Sequence, residues 1–187
     1  MTTETKIDTG TDELLCVIRD RVAVITLNRP EARNAMSDNL TPALRNMIKA
    51  CGENPDVGVL LLTGAGTAFC AGGNVKGMGA NRDKTKLAMS HDERVDAARC
   101  EAIGLVNRVV PDDRLQAEAF ALAKSIAEGP TIAIRYMKDN LDEALMFDFA
   151  TARDHEAERM IRAQVTADHR EAVQAFIDKR KPVFRGS

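Results

Sequence analysis

Apolar residues in the first third of the chain fall into short runs separated by turn-forming residues, a pattern typical of strands. Residues 14–18 and 22–27 are β-rich and are joined by three charged residues, which predicts a hairpin. A helical period follows, with apolar positions on one face at Leu40, Leu44, Met47 and Ile48. Two caps, Ser37 and Thr41, are alternatives for the start of this helix, and its end is predicted near Gly52.

An unbroken apolar run at residues 57–63, closed by Gly64, is the stretch around which the fold is organised. Such a run predicts a strand buried on both faces, and together with the preceding strand and helix it makes a βαβ unit. The loop that follows contains glycines at Gly64, Gly66, Gly72 and Gly73. Because its side chains carry little chemistry, the loop presents main-chain N–H groups, which bind either a phosphate or a negatively charged oxygen.

The second half of the chain is predicted to be mostly helical. A short helix at residues 96–103 stops at Gly104 and precedes a predicted strand at 105–110, whereas residues 76–94 are charged and poorly periodic and predict a loop or frayed helix. Four further helices are predicted at residues 111–128, 131–144, 146–163 and 167–180, the last capped by Thr166. The chain is therefore β-rich first and helical afterwards.

Composition narrows the classes of protein that fit. The 187 residues suffice for one domain, with a formal net charge of -2 and no basic face, which argues against a nucleic-acid partner. The polar N-terminus predicts neither a signal nor a transit peptide, and no apolar run approaches the roughly 20 residues that span a bilayer. Four widely spaced cysteines lack the spacing of a metal site and predict reduced thiols in a cytoplasmic protein. Residues 1–12 are expected to be a disordered tail.

The phosphate alternative requires a dinucleotide fingerprint, which the loop does not complete. Phe69 stands where the third glycine should be, and no acidic residue follows at the end of a next strand. The oxyanion alternative is therefore favoured. Cys70 has no histidine or other base at a recognisable spacing, so a buried structural thiol is favoured there over a nucleophile.

Four blocks of this sequence resemble the enoyl-CoA hydratase/isomerase (crotonase) family and occur in that family's order. They are residues 28–36, 63–75, 102–111 and 175–184, and the resemblance covers nearly all of the chain from Leu14 onward. It implies an α/β fold with a crotonase-like spiral core at residues 13–110 and a C-terminal helical region at 111–187. It also implies an acyl-CoA thioester as the substrate, with no cofactor beyond the CoA of the substrate and no metal.

The resemblance places the site residue by residue. In that family the peptide N–H of the residue after an Ala-Gly pair donates to the thioester oxygen, and here that residue is Gly73. Thioester chemistry passes through an enolate-like oxyanion, which preorganised backbone donors stabilise. The other positions implied to border the substrate or its CoA are Ala32, Arg33, Ala35, Ala71, Gly72, Asn74, Val75, Phe176 and Lys179. The last two match helix positions that approach CoA, often that of a neighbouring subunit.

The chain departs from the family because an internal segment is absent, with the join near residues 92–96. The missing block supplies the family's second oxyanion N–H and its acid and base carboxylates, and Asp92, Glu93 and Asp96 match none of those positions. Two hypotheses follow. One is an enzyme that hydrates a 2-enoyl-CoA or isomerises an acyl-CoA, and the other is an inactive remnant that binds CoA or oligomerises.

Assembly as a trimer or hexamer through the C-terminal helices is also implied by the resemblance. Absence of central strands should leave apolar edge surface uncovered, so the chain is expected to need partners. One apolar stripe on the predicted helices is expected mainly to pack inside the protein, with part of it available for subunit contacts. Its members are Met146, Phe149, Ala150, Ala157, Met160 and Ile161.

Overall fold

The computed structural model describes residues 4–73 and 95–187. The strands are β1 (Thr5–Ile7), β2 (Leu14–Arg19), β3 (Val22–Leu27) and β4 (Val59–Gly64). The helices are α1 (Leu40–Glu53), α2 (Ala97–Ala102), α3 (Leu115–Ala127), α4 (Thr131–Ala144), α5 (Phe149–Gln164) and α6 (Ala167–Ile177). Two short 3-10 turns lie at Pro30–Ala32 and Asp112–Arg114.

The four strands form one sheet in the order β1-β2-β3-β4. β1 pairs with β2, and β2 with β3, in antiparallel orientation, whereas β3 and β4 are parallel, with Val22 opposite Val59. The hairpin between β2 and β3 turns at Asp20 and Arg21, whose φ angles of 49° and 61° suit a tight turn with the twist of the strands. The predicted hairpin and the predicted βαβ unit, β3-α1-β4, are both confirmed.

β1 corrects the expectation of a disordered tail at residues 1–12. Thr5 pairs opposite Ile18, and Ile7 pairs opposite Cys16 on β2. Ile7 also packs against the core beneath the sheet. β1 is held mainly by backbone pairing with β2 and by one apolar side chain, that of Ile7. Because the rest of this segment is polar, its sequence did not predict a strand.

The core lies on both faces of the sheet. On one face, side chains of β2 and β3 pack against α1, in a cluster of Leu14, Cys16, Ala23, Ile25, Leu27, Leu40, Met47 and Cys51. On the other face, Val22 packs against Ala123 and Ala127 of α3. The N–H of Leu40, the first residue of α1, donates to Ser37 Oγ at 3.0 Å, whereas Thr41 lies inside the helix. The sheet is thus held between two helices, and the loop after β4 leaves from its edge.

Cys16 and Cys51 face each other inside this core as free thiols, with their sulfur atoms 4.0 Å apart. Burial, with a smaller contribution from the neighbouring Cys51, raises the pKa of Cys16 to about 12. Because the thiolate is the reactive form, the raised pKa disfavours reaction at Cys16, and both buried side chains contribute to the packing of the core.

β4 lies at the edge of the sheet instead of in its middle. Leu60 and Leu62 are each 39% exposed, so the predicted burial on both faces is wrong. Among the residues that the structure describes, β3 is the strand that pairs with β4 and none pairs with its other edge. An apolar run predicts a strand, but only the presence of neighbouring elements makes that strand buried.

The helical half of the chain differs from the prediction in one element and in the exposure of its apolar side chains. Residues 105–110 are irregular, so the predicted strand is absent there. α4 has the predicted bounds, and the Thr166 side chain caps α6 by accepting from the His169 N–H at 3.1 Å. The stripe expected to pack inside the protein is largely exposed, with Phe149 82% exposed. Within the described ranges, no helix is long and apolar enough to cross a bilayer.

An ion pair joins α4 to α5. Arg159 donates to both carboxylate oxygens of Glu143, and His155 Nδ1 lies 2.7 Å from Glu143 Oε2. The Arg159 guanidinium, and secondarily the His155 ring, lower the pKa of Glu143 to about 2. His155 is therefore part of a helix–helix contact, although its side chain is still 39% exposed.

Arg159→Gln is expected to raise the pKa of Glu143 from about 2 toward its ordinary value of 4.5, as measured by ¹³C NMR titration of the carboxyl group. Because the folded-state pKa is depressed, the stabilisation from this pair is present above pH 4.5 and is lost as the pH falls toward 2. Arg162→Gln on the same helix, where Arg162 pairs with Glu158, is the matched control. An unchanged Glu143 titration in Arg159→Gln would contradict the assignment.

Candidate functional site

The loop after β4 starts at Gly64, where no side chain fits. A Cβ atom there would lie 2.5 Å from the carbonyl oxygens of Ala68 and Phe69 and 2.7 Å from Asn34 Nδ2. Further along, Gly72 has a φ angle of 90°, which glycine adopts without the steric cost of a Cβ. The loop thus folds tightly back over Gly64, the residue at which it starts.

A compact turn between β3 and α1 faces this loop. It begins with the 3-10 turn Pro30–Ala32, after which Arg33 and Asn34 both adopt left-handed conformations, with φ angles of 50° and 57°. Arg29 Nη1 donates to the carbonyl oxygen of Ala35 at 2.6 Å, closing the turn on itself. Two successive left-handed residues that are not glycine are uncommon and require support from their surroundings.

Asn34 supplies that support. The sequence alone did not predict a separate role for this residue. Its side chain is 0% exposed. Oδ1 accepts from the Arg29 N–H at 2.8 Å, and Nδ2 donates to the carbonyl oxygens of Ala65 at 2.8 Å and Ala68 at 2.7 Å. Its role could have been suspected because asparagine tolerates the left-handed conformation and its side chain often hydrogen-bonds to nearby backbone groups.

The end of the loop docks onto the same turn through its backbone. The Ala71 N–H donates to the Arg33 carbonyl at 3.0 Å, and the Met36 N–H donates to the Gly72 carbonyl at 2.8 Å. Met36 and Gly73 also form a parallel bridge. The structure thereby brings together two groups of predicted site residues, namely Ala32, Arg33 and Ala35 with Ala71, Gly72 and Gly73. Their contact with CoA stays a prediction.

The backbone donors of the loop differ in whether they are engaged. The Ala71 N–H is bonded to Arg33, and the Gly72 N–H lies 3.4 Å from the sulfur of Cys70, a half-buried free thiol. For the Gly73 N–H, no acceptor is found among residues 4–73 and 95–187. Gly73 is also exposed. An external oxygen that accepts from this donor therefore displaces no hydrogen bond to a described residue.

A cavity of about 430 Å³ lies beside the loop, between the end of β4 and the start of α3. Gln116 Nε2 donates to Thr63 Oγ1 at 2.9 Å across its wall. The described residues that line this cavity include one carboxylate, that of Asp112. Gly73 does not line this cavity but is itself exposed, and exposure to water weakens a hydrogen bond relative to one in a dry site.

The remaining predicted site residues lie elsewhere. Phe176 is 85% exposed at the end of α6, and Lys179 follows it with a φ angle of 55°. Across the part of the chain that the structure describes, no hydrogen bond links either residue to the loop, and their contact with CoA stays a prediction. Asp96 caps α2 by accepting from the Arg99 N–H at 2.7 Å. The other positions lie outside the described residues: Asn74, Val75, Asp92 and Glu93.

Solved structures show what this arrangement is similar to. An enoyl-CoA hydratase of Mycobacterium marinum superposes with a TM-score of 0.82 at 20% identity, covering 95% of this chain and 100% of that one. An enoyl-CoA hydratase structure from Geobacillus kaustophilus gives a TM-score of 0.84 at 16% identity, covering 99% and 100%. At these identities the likeness establishes the fold, which is that of the crotonases.

Sequence relatives extend the likeness. A probable enoyl-CoA hydratase of Mycobacterium bovis is 26% identical over 253 residues, covering 93% of this chain and 98% of the relative. That alignment of 253 positions is 66 longer than this chain of 187 residues, so the relative has at least 66 residues without a counterpart here. A putative enoyl-CoA hydratase/isomerase of Bacillus subtilis is 25% identical over 258 residues, covering 95% and 99%. Both alignments agree with an absent internal segment.

The family model for enoyl-CoA hydratase/isomerase matches this chain in two stretches, residues 18–99 and 84–187. The stretches overlap at residues 84–99, which include the join predicted near 92–96. Together they cover most of the sequence. The chain belongs to the enoyl-CoA hydratase/isomerase family.

Proposed function

We propose that this chain binds an acyl-CoA thioester and holds its carbonyl oxygen with the Gly73 N–H. The observation that carries the proposal is the contrast along the loop. The N–H groups of Ala71 and Gly72 are engaged, whereas the N–H of the exposed Gly73 has no acceptor among residues 4–73 and 95–187. Family membership supplies the substrate class. A backbone donor fixed by its neighbours stabilises a developing oxyanion because it needs no reorganisation during the reaction.

The reaction proposed for this site is hydration of a 2-enoyl-CoA. Water adds across the 2,3 double bond, with its oxygen bonding to C3 and a proton ending on C2, and negative charge develops on the thioester oxygen in between. Gly73 stabilises that charge. A base must take a proton from the water and an acid must supply one to C2, and fast turnover depends on both.

Binding without turnover is the second candidate, and two observations favour it. Residues 71–73 are exposed, and within the described ranges no carboxylate is hydrogen-bonded to them. The relatives also contain at least 66 residues that this chain lacks. A cytoplasmic location and the absence of a separate cofactor stay predictions.

Calorimetric titration with crotonyl-CoA and with free CoA, alongside an ultraviolet assay of the conjugated enoyl group, tests the proposal and separates the candidates. Tighter binding of crotonyl-CoA than of CoA would show that the thioester itself is recognised. Loss of the enoyl absorbance at a rate proportional to protein supports the hydratase. Binding without that loss supports the second candidate, and a chain that neither binds nor turns over would refute both.

Assembly of several copies through the C-terminal helices is part of the same proposal. Large apolar side chains on and near α4 to α6 are exposed in the single chain, among them Leu141, Leu145, Met146, Phe149, Met160 and Phe176. Such exposure marks interaction surfaces or aggregation hazards. We therefore expect sedimentation velocity to show oligomers at micromolar concentration. Phe149→Glu should shift them toward the monomer and Gln164→Glu, on the same helix, should not. A monomeric wild type with a sharp melting transition would contradict this.

A further inference from the structure

We propose that Asn34 is a positioning residue that sets the direction of the Gly73 N–H, an inference that rests on the function proposed for that donor. Asn34 is fully buried, so its side chain is not available to contact a ligand bound at the exposed Gly73. Its influence passes through the turn that carries it and the loop that this turn holds. Three observations support this path.

The first observation is backbone strain. Arg33 and Asn34 both have positive φ angles, which residues with a Cβ adopt only at a cost. Such conformations persist where the surroundings over-determine them, and they cluster at ligand clamps and active sites. Here the surroundings are the three hydrogen bonds of the buried Asn34 amide.

The second observation is where those hydrogen bonds lead. Asn34 Nδ2 reaches out of its own turn to the carbonyls of Ala65 and Ala68, and so fixes the first half of the loop. Among the described residues, Asn34 is the one whose side chain donates from this turn to that loop. The Arg29 guanidinium, by contrast, closes the turn on Ala35 and does not cross to the loop.

The third observation concerns the second half of the loop. The left-handed conformation of Arg33 aims its carbonyl at the Ala71 N–H, 3.0 Å away. From Ala71 the chain runs to Gly72, which the Met36 N–H holds, and then to the exposed Gly73. Asn34 therefore holds both halves of the loop, one directly and one through Arg33. If the Asn34 side-chain amide is removed, the Gly73 N–H remains a hydrogen-bond donor but is no longer held in a fixed direction.

Amide hydrogen exchange on the free protein tests the positioning without any ligand. Asn34→Asp removes the donor and sets a carboxylate against two carbonyls, and Asn34→Gly removes the amide while permitting the left-handed backbone. We expect the Ala71 and Met36 amides to exchange about tenfold faster in both variants, relative to amides of β2 and β3, because buried groups lose their partners. Asn46→Asp, an exposed asparagine in α1 without a described side-chain hydrogen bond, is the matched control and should leave the ratio unchanged.

Unchanged exchange at Ala71 and Met36 would overturn the inference. Acceleration of the whole sheet by the same factor, or failure of both variants to fold, would also overturn it, because Asn34 would then serve the fold as a whole. Local acceleration supports it.

Infrared spectra of bound crotonyl-CoA, labelled with ¹³C at the thioester carbonyl, connect the positioning to the site. A hydrogen bond from Gly73 lowers the carbonyl stretching frequency of the wild-type complex, and Asn34→Gly should reduce that shift at saturating probe. A wild-type shift that the variant fully retains overturns the inference alone. A wild-type complex without the shift overturns the function proposed for Gly73, and the inference with it, whatever the exchange result.

Discussion

Gly64→Ala is expected to destabilise the folded chain by about 3 kcal/mol, near the upper end for overpacking. The added methyl carbon would lie 2.5 Å from two backbone carbonyl oxygens and 2.7 Å from Asn34 Nδ2. None of the three groups can move freely, because the carbonyls belong to the tight loop and the amide is buried. The substitution should lower the urea midpoint of unfolding, measured by circular dichroism.

Gly52→Ala is the matched control for this prediction. Gly52 lies near the end of α1, and a Cβ atom there meets nothing within 4 Å. Alanine in a helix is better than glycine by roughly 0.5–1 kcal/mol, so this variant should raise the urea midpoint slightly. Equal midpoints for the two variants would show that the loop after β4 relaxes more easily than its geometry indicates.

Local elements of the fold could be predicted where local sequence determines them. The hairpin of β2 and β3 and the βαβ crossover follow from apolar runs broken by charged or turn-forming residues. α4 has the predicted bounds, and its start follows from Gly129 and Pro130, which stop the preceding helix just before it. In each case, the residues that determine the element lie within or next to it.

Burial could not be predicted in the same way, because it depends on what lies opposite. The apolar run at residues 57–63 was predicted to be buried on both faces, yet the strand that it forms, Val59–Gly64, occupies a sheet edge. On α3, the buried contacts are made by Ala123 and Ala127, while Leu122 points outward. Periodicity identifies apolar positions on a helix, but only the neighbouring elements decide which of them are covered.

The candidate site was predicted in part, and the reason is the range of its interactions. The resemblance pointed to Gly73 and to the turn at residues 32–35, and the structure places these segments side by side. Asn34, the side chain that links them, was missed because its partners lie 31 and 34 residues away. No pattern within the turn specifies which distant carbonyls a buried amide will meet.

Gly73→Pro is expected to abolish the lowering of the thioester carbonyl frequency in bound crotonyl-CoA, because proline has no N–H to donate. If the chain hydrates crotonyl-CoA, kcat should fall on the order of 10²–10³, the usual effect of removing one oxyanion donor. The Met36 N–H still has the Gly72 carbonyl as its acceptor, so the loop retains that anchor. The measurements are the isotope-edited infrared spectrum and the ultraviolet hydration assay on the same preparation.

Gly73→Ala keeps the N–H and therefore serves as the control for the added bulk of proline. It should retain the carbonyl shift, and both variants should match the wild type in thermal unfolding, since Gly73 is exposed and outside the core. A full shift in Gly73→Pro would show that another group binds the thioester oxygen. Loss of the shift in both variants would instead show that the site tolerates no side chain at this position. The role of Gly73 would then be to allow the ligand to approach closely, and not to donate its N–H.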